Sequence, residues 1–176
     1  MKLKTCALDL QLLLGEDVDM PLFEVKLKLA PEQKDLLVTQ LSLEYLRTYT
    51  DTDTFVETPA GEPKEKIKEI DGTVKRYTIA FDGKMFLISG DIMSRAEADA
   101  WLVGRKKSAM VKRSKDEYSW GELGVTVAFD TIEGIPEAVF FEVYSNNKEL
   151  VEKARQGLAA LGYTHWVDMT YDKLVG

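Results

Sequence analysis

A chain of 176 residues with 30 acidic against 23 basic side chains, a formal net charge of −7, is long enough for one domain with a sizeable core and has the wrong sign of charge for a diffuse nucleic-acid footprint. Its single cysteine, Cys6, and single histidine, His165, exclude an internal disulfide framework, a cysteine-rich zinc site and a multi-histidine metal centre, and the lone cysteine points to a reducing, cytoplasmic setting. No stretch approaches the ~20 apolar residues of a membrane-spanning helix, so no membrane partner is expected.

Residues 1–19 have the faint outline of a signal peptide in two early lysines and Leu12-Leu13-Leu14, but Asp9 and Gln11 interrupt the apolar run and no small-residue cleavage site follows. Leu8, Leu10 and Leu12 alternate with polar neighbours, which reads as an extension carrying an added strand, ahead of a single domain over 20–176. Residues 23–29 form the clearest period-two segment. Phe23, Val25, Leu27 and Leu29 point one way, and Glu24, Lys26 and Lys28 the other. Pro31 then opens a helix whose apolar face is Leu36, Leu37 and Leu41, and residues 42–49 read as a strand rich in threonine and aromatics.

A loop marked by Pro59, Gly61 and Pro63 leads to three strands, 64–70, 74–81 and 84–89, joined by tight turns at Asp71-Gly72 and Asp82-Gly83. Ser94-Arg95-Ala96-Glu97 is a capping box for a helix running to about Arg105. Strands follow at 109–115, 125–130 and 139–144, and Asn147 caps a helix through Leu158 that stops at Gly162. Blocks of hairpin-joined strands with helices between them indicate an α+β fold on an antiparallel sheet.

Three segments place ionisable groups on strands. Glu24, Lys26 and Lys28 alternate on the first. Val111-Lys112-Arg113-Ser114-Lys115 is a basic cluster, which a solvated sheet edge would also show. Asp130 ends Val125-Thr126-Val127-Ala128-Phe129, and Glu142 interrupts an otherwise apolar run, where a carboxylate is costly to bury unless paired, hydrated or bound to a cation. If these strands line one cavity, its lysines and arginine suit phosphate oxygens and its carboxylates suit Mg²⁺. No glycine-rich phosphate loop is present, and Trp101, Trp120 and Trp166 read as core or rim residues rather than a platform for bases.

The order of these segments resembles the CYTH family of triphosphate tunnel enzymes, which includes thiamine triphosphatases, inorganic triphosphatases and class IV adenylyl cyclases. The family opens on Glu-x-Glu-x-Lys. Here the stretch is Glu24-Val25-Lys26-Leu27-Lys28, with Lys26 in place of the middle glutamate. Lys112-Arg113 with Tyr118, then Asp130, Gly134 and Glu142, follow the family's later strands. Tyr144 stands where a second glutamate is usual, and residues 84–89 lack the family's charged row. Gly162 and Thr170-Tyr171 match its closing segment.

The resemblance implies an antiparallel β-barrel, or tunnel, with flanking helices. It implies a Mg²⁺- or Mn²⁺-dependent hydrolase of a triphosphate-containing small molecule, with Lys28, Lys112 and Arg113 on the phosphates and Glu24, Asp130 and Glu142 on the metal. Three other readings stay open: a cyclase acting on ATP, a module that binds a phosphorylated ligand or nucleotide without turnover, and a protein-interaction domain with a filled barrel. Lys26 favours the binding module and apolar Met85–Ile88 the filled barrel. Homodimer formation is also left open.

Overall fold

The computed structural model describes residues 21–175, so the expected N-terminal extension lies outside the described residues. The elements are β1 (Leu22–Leu29), α1 (Gln33–Gln40), β2 (Glu44–Val56), β3 (Lys64–Ile70), β4 (Thr73–Phe81), β5 (Phe86–Met93), α2 (Arg95–Leu102), β6 (Lys107–Trp120), β7 (Val125–Ile132), β8 (Val139–Ser145), α3 (Lys148–Ala160) and a 3₁₀ turn, Tyr171–Lys173. The strands close into a barrel in the order β1-β5-β4-β3-β2-β6-β7-β8, and each neighbouring pair is antiparallel. The expected α+β fold, a closed antiparallel barrel with flanking helices, is therefore present. Among the described residues no helix is long and apolar enough to cross a membrane.

Turn chemistry sets much of this order. Asp71 and Gly72 both take positive φ, 48° and 81°, as a two-residue turn between right-twisted strands requires. The second Asp-Gly behaves differently. Gly83 alone turns left-handed, while Asp82 accepts hydrogen bonds from the Lys84 and Met85 amides, so the loop runs on and β5 begins at Phe86 rather than at 84. The capping box forms at Ser94 and Glu97, though α2 ends at Leu102, earlier than its sequence pattern indicates. Strand β2 also exceeds its expected length. It continues through Thr50–Val56 and pairs with β6 along its whole course.

The principal core lies outside the barrel wall. Val25, Leu27 and Leu29 of β1, Val127 and Phe129 of β7, and Phe141 and Val143 of β8 pack against Leu37 of α1 and Val151, Ala154 and Leu158 of α3. Each of the valine, leucine and phenylalanine side chains contributes roughly 1.5–3 kcal/mol by leaving water. Leu36, expected on the apolar face of α1, is instead 60% exposed. A second cluster lies in the barrel. Phe55, Phe86, Val111, Ile132 and Phe140 meet the ring of Tyr171, delivered by the C-terminal 3₁₀ turn, and fill one end of the bore with hydrocarbon. A third, smaller cluster packs Ala98 of α2 on Ile67 and Val74.

Candidate functional site

Side chains alternate across a strand, so each strand of a closed barrel sends every second residue inward. The inward rows carry an unusual load of charge. Strand β1 contributes Glu24 and Lys26, β2 contributes Asp51 and Asp53, β3 contributes Lys66 and Lys68, β6 contributes Arg113 and Lys115, β7 contributes Asp130 and β8 contributes Glu142. Of these only Lys68 is not fully buried, its side chain being 12% exposed. Strand β8 is buried along its entire length because α3 covers its outer face while Glu142 and Tyr144 face the bore. That double burial is why a carboxylate interrupts an apolar run there.

The charges are knitted into one network. Asp51 and Arg113 are register partners on β2 and β6, and the guanidinium donates Nε to Asp51 Oδ1 at 2.6 Å and Nη2 to Oδ2 at 3.1 Å. Its Nη1 donates to Asp130 Oδ2 at 3.0 Å. Lys66 donates to Asp53 at 2.6 Å and Lys68 to Asp51 at 3.2 Å. Lys115 bonds Glu142 and lies 3.3 Å from Asp130 Oδ1. The Tyr171 hydroxyl stands 2.9 Å from Glu142 Oε1 and 3.1 Å from Asp130 Oδ2, so one phenolic proton is shared between two carboxylates.

This crowding displaces the titrations. Burial alone would depress Arg113 and Lys115, but the surrounding carboxylates outweigh it and hold both well above their ordinary values. Burial, then the neighbouring cations Lys68 and Arg113, bring Lys66 down to about 8 despite Asp53. Burial would lift Asp53, yet Lys66, Lys68 and Arg113 keep it below the usual carboxylate range. Asp130 and Glu142 divide as coupled neighbours do. Burial and the charge of Glu142 push Asp130 up to about 6, while Lys115, Lys26 and Arg113 overcome burial to hold Glu142 well down. Burial and both carboxylates raise the Tyr171 phenol, so it remains a donor.

Beside this network lies a cavity of about 310 Å³. Seven cationic side chains line it, Lys26, Arg47, Lys66, Lys68, Lys75, Arg113 and Lys115, against three carboxylates, Glu24, Asp71 and Glu142. Asp51, Asp53 and Asp130 are not among the lining residues. They sit behind the cations and hold them in place. Three tyrosines, Tyr49, Tyr77 and Tyr144, complete the polar wall, and Leu22, Ile70, Ile79 and Ile88 also line the cavity.

The structure separates the residues singled out in the sequence. Glu24, Arg113, Asp130 and Glu142 all face the bore. Lys112 does not. It is exposed on the outer face of β6, because adjacent residues of a strand point to opposite sides and Arg113 takes the inward position. Lys28 is also exposed and lines a separate groove with Thr164 and His165 instead of the charged cavity. Lys115, noted in the basic cluster, was not assigned to the phosphates, and Lys66, Lys68, Asp51 and Asp53 escaped the sequence reading. Their signal was present as the alternations Lys64-Glu65-Lys66-Ile67-Lys68 and Asp51-Thr52-Asp53.

The three carboxylates assigned to a divalent cation do not fit one as they stand. Mg²⁺ asks for converging oxygens free to coordinate. Here Glu24 is taken by Lys26, Asp130 by Arg113 and Lys115, and Glu142 by Lys115 and Tyr171. Among the described residues no group of three histidine, cysteine, aspartate or glutamate side chains is placed to hold a metal.

No protein-family model matches the chain, and no curated protein does. Solved structures do. A conserved hypothetical protein from Pyrococcus furiosus superposes with a TM-score of 0.71 at 19% identity, over 87% of this chain and 99% of that one. A protein from Hippeastrum, described as an adenylyl cyclase candidate with a dominant triphosphatase activity, gives 0.58 at 17% identity over 84% and 90%. A chain of the Schizosaccharomyces pombe Mediator head module gives 0.57 at 12% identity over 81% and 92%. The chain shares the tunnel fold of these proteins.

Proposed function

We propose that the barrel binds a triphosphate-bearing small molecule, with its phosphates on Lys66, Lys68, Arg113 and Lys115. The observation that carries this reading is the cavity lining, in which seven cations face the space against three carboxylates. Ammonium and guanidinium donors on several strands suit a chain of phosphate oxygens, and each charge-assisted bond is worth roughly 1.5–3 kcal/mol. The wall is also rigid, because each donor is already held by a buried partner, so little ordering cost remains on binding.

Isothermal titration with tripolyphosphate tests this reading directly. Saturable binding with one ligand per chain is expected, weakened by substitutions in the cavity wall. No heat with either tripolyphosphate or ATP would sink it.

Turnover is the second reading, and the likeness to the Hippeastrum protein favours phosphate release over cyclisation. A phosphate-release assay on tripolyphosphate and nucleoside triphosphates separates a hydrolase from a module that only binds. Binding stands ahead of turnover because the carboxylates expected to hold Mg²⁺ are engaged by cations of the protein itself.

A further inference from the structure

The inward wall between β1 and β8 carries a feature that the binding reading does not use. Lys26 and Glu142 are register partners across the two strands, and Glu24 lies two residues along β1 on the same face. All three are buried and all three line the cavity. The Lys26 ammonium is in contact with Glu24 and stands 3.7 Å from Glu142 Oε1. Two aromatic faces enclose it, Phe86 with its centroid at 4.3 Å and Tyr171 at 4.8 Å.

We infer that Lys26 is a resident counter-ion, occupying the position between Glu24 and Glu142 that a divalent cation would otherwise take, so that the cavity receives its phosphorylated ligand without metal. A doubly charged ion and an ammonium cannot share one pair of carboxylates without strong repulsion. The ammonium is tethered and wrapped by two π-faces, which attract a desolvated cation, so displacing it would cost those contacts as well as two ionic ones. The same ammonium borders the cavity, where it can meet a phosphate oxygen as a point charge. The wall thus carries its own cation, covalently attached. The inference rests on the phosphate-binding reading, but the position of Lys26 is testable without it.

The experiment has two arms on the full chain, with Mn²⁺ and tripolyphosphate as probes. In the first, Mn²⁺ alone is titrated and followed by electron paramagnetic resonance. Wild type is expected to show no saturable uptake, and Lys26→Glu, which places a third carboxylate between the other two, is expected to gain one Mn²⁺ per chain. In the second, tripolyphosphate binding is measured with chelator and with Mn²⁺. Wild-type affinity is expected to be no greater with the metal, and Lys26→Gln, which keeps the size and removes the charge, should lose about tenfold, the loss of one charge-assisted contact.

Saturable Mn²⁺ uptake by wild type, tripolyphosphate binding that requires the metal, or unchanged affinity in Lys26→Gln each overturns the inference. A folded Lys26→Glu protein that gains no Mn²⁺ overturns it too. If Lys26→Glu does not fold, the wild-type titration and Lys26→Gln decide. If wild type binds no tripolyphosphate under either condition, the phosphate reading fails, and the Mn²⁺ arm still decides what Lys26 replaces.

Discussion

Asp51 and Arg113 occupy one register position on adjacent antiparallel strands, and their side chains meet as a fork with two parallel hydrogen bonds of 2.6 and 3.1 Å. Both are buried. A pair like this joins two halves of the barrel, since β2 continues the β3–β4–β5 side and β6 the β7–β8 side. It also aims the guanidinium, whose remaining nitrogen reaches Asp130.

Removing one partner leaves the other buried and uncompensated, at a cost of about 3–5 kcal/mol. Asp51→Ala is therefore expected to lower the urea midpoint sharply. The double change Asp51→Leu with Arg113→Met should recover only part of that loss, because it removes the forked pair together but leaves Asp130 and Lys68 each short of one partner. A single substitution that shifts stability by less than 1 kcal/mol would mean the fork holds nothing together.

The cavity wall and the outer face should respond differently to loss of a lysine. Lys66→Ala and Lys68→Ala are each expected to weaken tripolyphosphate binding by about 10- to 100-fold, the equivalent of one charge-assisted hydrogen bond. Lys28→Ala and Lys112→Ala, exposed and away from the cavity, should leave the affinity within about twofold. Calorimetric titration of the four variants compares the two sets, and equal losses across them would remove the cavity as the binding site.

Acidity supplies an independent handle at Asp130. Its carboxyl is pushed up to about 6 from an ordinary 3.8, so in that window the folded protein keeps a proton that the unfolded chain releases. The stabilisation this group contributes is complete below its ordinary value and is lost as pH rises through about 6. Asp130→Asn lacks that titration. The variant should gain on wild type between pH 4 and 7, by about 3 kcal/mol at most at 1.36 kcal/mol per unit. Asp53 and Glu142, held low, act in the opposite sense, and the difference between the two denaturation curves reports Asp130 together with its coupled neighbour Glu142. A flat difference would place its carboxyl in the ordinary range.

Gly90 faces Tyr77 across β4 and β5, and a Cβ built there would fall 2.6 and 2.7 Å from the Tyr77 ring and 3.0 Å from the Arg76 carbonyl oxygen. The tyrosine lies over the bare glycine and borders the cavity. Gly90→Ala is expected to force the ring inward, costing about 1–3 kcal/mol in stability and weakening tripolyphosphate binding. Gly157→Ala in α3, where a new Cβ meets nothing within 4 Å, should instead stabilise by roughly 0.5–1 kcal/mol and leave binding unchanged. Thermal melts and titrations of the two variants give the comparison.

The fold was readable where side-chain period and turn chemistry agreed. Glu24 to Leu29, the Asp71-Gly72 turn, the Ser94–Glu97 cap and the Asn147 cap all form as their residues dictate. Glu142 stood out because a carboxylate in an apolar run needs a reason. Lys112 and Arg113 were read as a unit, although neighbours on a strand cannot face the same space, and the inward partner of Arg113 is Lys115. Asp51 and Asp53 were invisible for a different reason. Alternating threonine and aspartate look like a wetted sheet face, and only closure of the barrel, a contact between β1 and β5 some sixty residues apart, turns that face inward.

The hydrocarbon packed around Tyr171 makes the barrel a blind vessel rather than a conduit. Whatever enters the charged cavity must leave by the end through which it came. A long polyphosphate cannot thread through such a vessel and could present only its tip. If the bound molecule is cleaved, the fragment lodged deepest must wait for the outer one to depart, so the release of products would be ordered by depth.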